Sequence, residues 1–144
     1  MTIEELIQHA RQSGDFAGLM DQIPYAKLLG MRMRLDDDNN PLFYLPFLEK
    51  NIGNPALPAL HGGVIGGFME NSAIVSLMWA RDSLDIPKTI DFNIDYLRSG
   101  RAEESFARCE ITRQGKRVAH VKVDCWQRDA QTPIAVARVH FLLT

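Results

Sequence analysis

Apolar residues recur along this chain with two periods, a helical one near the N-terminus and in the centre and a two-residue one elsewhere. Thr2 stands three residues before Glu5 and is followed by Ile3 and Leu6, the signature of a capped helix that reaches about residue 11. Phe16, Leu19 and Met20 suit a second short helical piece within 13–23, which Pro24 breaks. In the segment 28–35, apolar and basic residues alternate from Met31 onward and predict a strand. Residues 36–41, Asp-Asp-Asp-Asn-Asn-Pro, form a solvated turn, and 42–47 are the returning strand. The stretch 51–58, with Gly53, Pro55 and Pro58, reads as a loop. A long helix is expected over 61–80. After Pro87 the pattern is β: strands over 89–97, 106–112, 118–126 and 134–143, with a glycine-containing hairpin at 113–117 and a turn at 128–133.

Two strands, one long helix and four further strands, with no internal repeat, make an α+β domain in which one helix lies beside a largely antiparallel sheet of about six strands. Mixed strand faces imply that one sheet face holds the helix while the other is partly exposed or meets another subunit. Residues 1–27 are read as a helical extension and 28–144 as the main domain.

The central helix is unusual as a helix. It opens as His61-Gly62-Gly63-Val64-Ile65-Gly66-Gly67 and carries a single acid, Glu70, in otherwise apolar surroundings. Gly66 and Gly67 each cost about 1 kcal/mol relative to alanine in a helix interior. Close packing of helix on sheet accounts for them, and so does a thin acyl or pantetheine chain running along a bare helix face. Glycines at a helix start offer open backbone N–H groups that can hold an oxyanion, and an acid among apolar residues is costly unless paired or used. These are the two halves of a carbonyl-hydrolysing site. Gly62 and Glu70 are eight residues apart, about 12 Å of helix. A Glu side chain leaning back toward the N-terminus recovers only part of that distance. Both can therefore act on one carbonyl only if they come from different subunits, which places the site at a two-fold interface.

Composition narrows the classes. Hydrophobic content of 46% and charged content of 24% are ordinary for a soluble globular chain, and a net charge of −2 argues against a general nucleic-acid or anionic-membrane surface. No stretch approaches the ~20 apolar residues of a membrane span. Residues 1–10 include Glu4 and Glu5 and lack a signal-like apolar run. Cys109 and Cys125 form no CxxC pair, and no His/Cys spacing suits zinc, so no metal is expected and both thiols are read as reduced. A cytoplasmic protein is expected. GGVIGG is neither a dinucleotide fingerprint nor a P-loop, and no GxSxG elbow is present.

His61-Gly62-Gly63, an acid nine residues after the histidine, and Asp91-Phe92-Asn93-Ile94-Asp95-Tyr96-Leu97-Arg98 in the first strand after the helix resemble the hotdog-fold acyl-CoA thioesterases. The resemblance is nearest to the phenylacetate-degradation and human-thioesterase-superfamily-member branch, related to the glutamate-using 4-hydroxybenzoyl-CoA thioesterases, and it covers roughly residue 29 to the C-terminus. It implies a sheet wrapped around one long helix and a dimer that joins two sheets side by side. By position, Gly62, supported by Gly63, falls on the helix N-terminus that polarises the thioester carbonyl. Glu70 falls on the catalytic carboxylate, acting as general base on water or as nucleophile. Thr89 matches a water-orienting hydroxyl, and Asn54 lies in the loop where relatives place an assisting amide. Ile74 stands where glutamate-using relatives carry a threonine, with Ser72 and Ser76 nearby.

Other residues have two readings each. His61 binds substrate or shapes the start of the helix through a backbone contact. Gly66 and Phe68 line a substrate path, or Gly66 only permits close packing and Phe68, with Met69, Met78 and Trp79, only fills the core. Arg98, Arg101, Lys116 and Arg117 meet the phosphates of coenzyme A or are solvated surface charges. His120 and His140 occupy alternating strand positions, and Asp91 and Asp95 the exposed face of theirs. The resulting expectation is a cofactor-free, cytoplasmic acyl-CoA thioesterase acting as a homodimer or dimer of dimers. The alternatives are a hydratase or dehydratase of the same fold, which would want an Asp–His pair absent after Glu70, and a non-catalytic acyl-binding module, which would gain stability from an apolar residue at 70.

Overall fold

A computed structural model describes residues 1–81 and 85–143. Three helices come first: α1 (Ile3–Ser13), α2 (Phe16–Asp21) and α3 (Pro24–Leu29). Thr2 caps α1 in a full capping box with Glu5, and left-handed Gly14 (φ 76°) ends it. Strands β1 (Arg32–Leu35) and β2 (Pro41–Leu45) follow, joined by a turn in which the Asp36 carboxylate accepts from the Asn40 and Asp38 N–H groups. Those two bonds, with Asn40 the larger influence, hold its carboxyl below the usual carboxylate range. A small hairpin, β3 (Ile52–Asn54) with β4 (Ala59–Leu60), leads into the long helix α4 (Gly62–Ala80). The remaining strands are β5 (Lys88–Tyr96), β6 (Ser105–Gln114), β7 (Val118–Trp126) and β8 (Ala135–Leu142).

The main sheet has six strands in the order β1-β2-β6-β7-β8-β5, with every neighbouring pair antiparallel. The sheet face carrying Phe43, Ala107, Val121, Val123, Val139 and Phe141 packs on Ile65, Phe68, Met69, Ala73 and Leu77 of α4. This is the expected α+β hotdog arrangement. Leu19 and Met20 of α2 and Ala26 and Leu29 of α3 join the same core, so the N-terminal helices cover a second side of α4. Trp79 near the end of α4 packs edge-on to Phe16 (ring centroids 5.8 Å apart) and under the Arg11 guanidinium, which also donates to the Trp79 carbonyl.

Three details differ from the pattern in the sequence. Pro24 does not simply end a helix: it occupies the first position of α3, where its fixed φ and missing N–H are tolerated. Leu28 and Leu29 consequently belong to that helix, and the strand starts only at Arg32. The segment expected as loop holds a 3-10 turn (Glu49–Asn51) and β3, pieces too short to show a period.

The two edges of the main sheet are unlike. β1 has four residues and is packed by α2, whereas β5 has nine, and no strand pairs with its outer side among the described residues.

Met20 has no accessible surface. Met20→Ala is expected to cost about 2–5 kcal/mol. In urea it should lower a single unfolding midpoint followed identically by fluorescence and circular dichroism, with the N-terminal helices and the sheet melting as one unit.

Candidate active site

The start of α4 is held from three directions. The His61 N–H donates to the Asn51 carbonyl and the Leu60 N–H to the Gly100 carbonyl, both at 2.9 Å. Asn51, itself buried, donates its side-chain amide to the Leu29 carbonyl at 3.1 Å. At Gly53 a Cβ would lie 2.7 Å from the His61 Cα, so only glycine lets β3 pass this close.

The first turn of α4 then uses up all but one of its early N–H groups. The Gly63 N–H donates to His61 Nδ1 at 2.9 Å, making the imidazole the helix cap in a form whose proton sits on Nε2. The Val64 and Ile65 N–H groups both donate to the His61 carbonyl, at 3.0 and 3.2 Å. The Gly62 N–H has no acceptor among the described residues. It belongs to the peptide whose carbonyl accepts those two bonds, and double acceptance polarises it as a donor. The helix dipole adds in the same sense. The Tyr96 hydroxyl donates to the Gly62 carbonyl at 2.7 Å and fixes this turn from β5.

At roughly 100° per residue, Gly66, Glu70, Gly63, Ile74 and Gly67 project from α4 at about 40°, 80°, 100°, 120° and 140° from Gly62. A Cβ at Gly62 would touch Tyr96 at 3.4 Å, and one at Gly66 would meet Tyr96 and Phe92 at 3.6 and 3.7 Å. One at Gly67 would lie 2.7 Å from the Tyr25 ring of α3. Aromatic rings from β5 and α3 therefore flank a strip of α4, and Glu70 emerges between them. Glu70 is partly exposed and has no hydrogen bond or ion pair among the described residues. Gly66 and Gly67 thus do serve close packing, against side chains on either side of the strip.

Along this flank β5 runs from Tyr96 beside Gly62 to Phe92 beside Gly66, so Thr89 continues toward the Glu70 side. The register shift between Thr89 and Asp91 sets Thr89 opposite the buried Phe141, on the same sheet face as Phe92. Without that bulge strict alternation would turn Thr89 outward with Asp91. Asn54 lies on the hairpin before α4 and is exposed, with its side-chain oxygen accepting from the Ala56 N–H at 3.0 Å to close the turn. Phe68 is in the core with no accessible surface, on the sheet side of α4 and away from the strip.

The four candidate cations separate. Arg98 and Arg101 follow β5 at the sheet end that holds the start of α4; Ala59 bridges to Arg101, two residues before His61. Arg98 and Arg101 line a surface pocket with Gln127 and Arg128. There Arg98 donates to the Pro133 carbonyl, and Arg128 pairs doubly with Glu103 at 3.0 Å, while the Arg101 guanidinium has no partner among the described residues. Lys116 and Arg117 sit in the β6–β7 hairpin at the opposite end, about 26 Å away along β7. One chain cannot bring both pairs to one phosphate group. On the sheet face turned from α4, His140 Nδ1 lies 2.8 Å from Asp91, and the His120 ring is 4.1 Å from that of His140. Tyr25 and Tyr96, which flank the strip, carry no local sequence signal for that role; only the glycines opposite them hint at a close neighbour.

The thioesterase superfamily profile matches residues 57–134, from the β3–β4 turn to the start of β8 and so across the whole strip. The chain belongs to the thioesterase superfamily. It is 28% identical over 134 residues to the medium/long-chain acyl-CoA thioesterase YigI of Escherichia coli K12, covering 84% of this chain and 86% of that one. A crystal structure of a Chromobacterium violaceum protein is 51% identical, with a TM-score of 0.81 and 97% of each chain covered. A Bacillus halodurans protein crystallised with CoA shares the fold, with a TM-score of 0.71 over 99% of this chain and 88% of that one, at 17% identity. No helix among the described residues is long and apolar enough to cross a membrane.

Neither cysteine belongs to the strip. Cys125 is fully buried; Cys109 keeps some exposed area, but its thiol turns in against the buried Ser76 hydroxyl. Burial pushes both thiols from 9.0 up to about 12. A raised native value favours the folded state fully below pH 9, and that contribution is lost as pH climbs through about 12. At pH 8 an aromatic disulfide reagent should label neither thiol until urea unfolds the chain, and alkaline titration should lower the urea midpoint only beyond pH 9.

Proposed function

We propose that this protein is a cytoplasmic acyl-CoA thioesterase, hydrolysing an acyl-CoA to a carboxylic acid and free coenzyme A. The observation that carries the reading is the pairing, on one uncovered strip of α4, of a polarised and unengaged Gly62 N–H with the unpartnered Glu70 carboxylate. The similarity to a named acyl-CoA thioesterase over most of both chains supports it.

The Gly62 N–H donates to the thioester carbonyl oxygen and holds the negative charge that develops there, a contact often worth about 3–4 kcal/mol of barrier. Gly63 shapes the turn, its own N–H being engaged by His61. Glu70 takes a proton from water as the oxygen of that water adds to the carbonyl carbon, and collapse of the tetrahedral adduct expels the CoA thiolate. The other route has the Glu70 oxygen itself add, expelling the thiolate and leaving a mixed anhydride that water then opens. Thr89 is suited to orienting the water. Asn54, its oxygen held by the loop, has only its amide N–H groups to offer a carbonyl.

The 12 Å of helix between Gly62 and Glu70 makes each site a shared one, with the N–H from one chain and the carboxylate from its partner. The nine-residue free edge of β5, bearing exposed Ile90 and Tyr96 beside the strip, suits pairing with a second copy. Arg101 is the cation for a coenzyme A phosphate; the boundary expected between 27 and 28 falls inside α3, so the extension docked on the catalytic domain runs to Leu29.

Glu70→Gln should lower kcat for thiol release from acyl-CoAs by about 10²–10⁴-fold with the melting temperature retained. Retained turnover would remove Glu70 from the mechanism. Arg101→Ala should raise KM for the same substrates by up to about tenfold with kcat little changed, as expected for binding that is equal in ground and transition states.

A further inference from the structure

The strip on α4 has walls of unequal origin. One is Phe92 and Tyr96, from the sheet; the other is Tyr25, from α3, at the junction of the N-terminal extension and the sheet domain. Tyr25 is 46% exposed. Its ring nevertheless sits so close over Gly67 that a Cβ there would be 2.7 Å from Cε1 and 3.1 Å from the hydroxyl oxygen. Gly67 therefore acts as a socket for that ring, one turn before the carboxylate. Glycine at 67 lets a large aromatic side chain stand close against the helix at the edge of the strip, where any other residue would push it away.

The separation of the two walls is set by the helix. They stand about 100° apart around α4, at Gly66 and Gly67, so their facing atoms lie roughly 10 Å apart, a clear width of roughly 6 Å between surfaces. An extended polymethylene chain lies along such a channel over glycine backbone, past Glu70 and onto Ile74, which is apolar and partly buried. An aryl ring or an acyl group branched next to the carbonyl fills the width and meets Tyr25. Leu28, one turn after Tyr25 on the same face of α3 and 58% exposed, extends the apolar wall.

We propose that Tyr25 is a specificity-determining residue that restricts the site to linear aliphatic acyl chains. This rests on the thioesterase reading above and adds to it the class of acyl group. The shape of the channel carries it: rings from β5 and α3 stand on either side of a strip whose glycines leave room for a thin chain and not for a ring lying across it.

The test is thiol release by the full-length protein from octanoyl-CoA, palmitoyl-CoA, benzoyl-CoA and phenylacetyl-CoA, with Tyr25→Ala and Tyr25→Phe beside wild type. The readout is the ratio of kcat/KM for aryl over linear substrates within one preparation, which cancels any difference in the folded fraction. Wild type should favour linear chains, Tyr25→Phe should keep that ratio, and Tyr25→Ala should raise it about tenfold or more, the discrimination an apolar wall can supply. A ratio unmoved in Tyr25→Ala while both substrate classes are turned over would overturn the role of Tyr25 and leave the thioesterase reading intact. A wild type that prefers aryl substrates would overturn the assigned acyl class. Thiol release from none of the four would overturn the thioesterase reading and this inference together.

Discussion

A carboxylate in the middle of a largely apolar helix cannot be closed over without a partner, and the arrangement of this chain follows from that constraint. α4 is apolar nearly all round, so it needs cover on more than one side. The sheet supplies one cover, packing Ile65, Phe68, Met69 and Leu77; the N-terminal helices supply another through Phe16, Met20 and Leu29. Neither reaches across Glu70. The glycines at 62, 66 and 67 bring the flanking rings close beside the carboxylate's strip without covering it.

The other half of the chemistry depends on how a helix begins. Four N–H groups at a helix start need acceptors outside the regular i→i−4 ladder; here His61 satisfies that of Gly63 through its ring and that of Val64 through its carbonyl, and the Asn51 carbonyl takes the N–H of His61. An Asp or Ser cap would engage the N2 or N3 N–H in a similar way. Histidine does so with a bulky ring on an exposed residue. The β3–β4 hairpin just before the helix, the Gly53 crossing and Tyr96, 34 residues after Gly62, all converge on holding this one turn.

Much of this was legible in the sequence because the signals are local. The capping box at Thr2, the strand alternation after Pro87 and the acid at 70 each stand out against their immediate neighbours. Pro24 was ambiguous, since the same residue that ends one helix favours the first position of the next. The edge position of β5, the bulge that sets the exposed Thr89 on the sheet face of Phe92 and the separation of Arg101 from Lys116 are properties of strand order and register, which periodicity does not encode. Phe68 stands two residues before Glu70, yet two residues along a helix is about 200° of rotation, enough to put it in the core. Tyr25 was invisible for the opposite reason: its partner Gly67 lies 42 positions away, and only the packed fold brings them together.

Two features of the chain look unfinished, and they lie side by side. Among the described residues nothing pairs with the outer edge of the nine-residue β5, and natural sheets seldom leave such an edge bare. The other edge of this sheet shows the usual remedy, a short strand packed by α2. On the inner face of β5, Phe92 and Tyr96 form the wall of the strip that holds Glu70, so whatever pairs with β5 also approaches that strip. In the proposed reading a second copy meets both needs at once: its β5 completes the sheet edge, and its α4 carries a Gly62 N–H to within reach of a Glu70 that is too far from its own. Edge pairing and catalysis would then depend on the same contact, and a chain kept monomeric by charges placed along β5 would retain its fold while losing turnover.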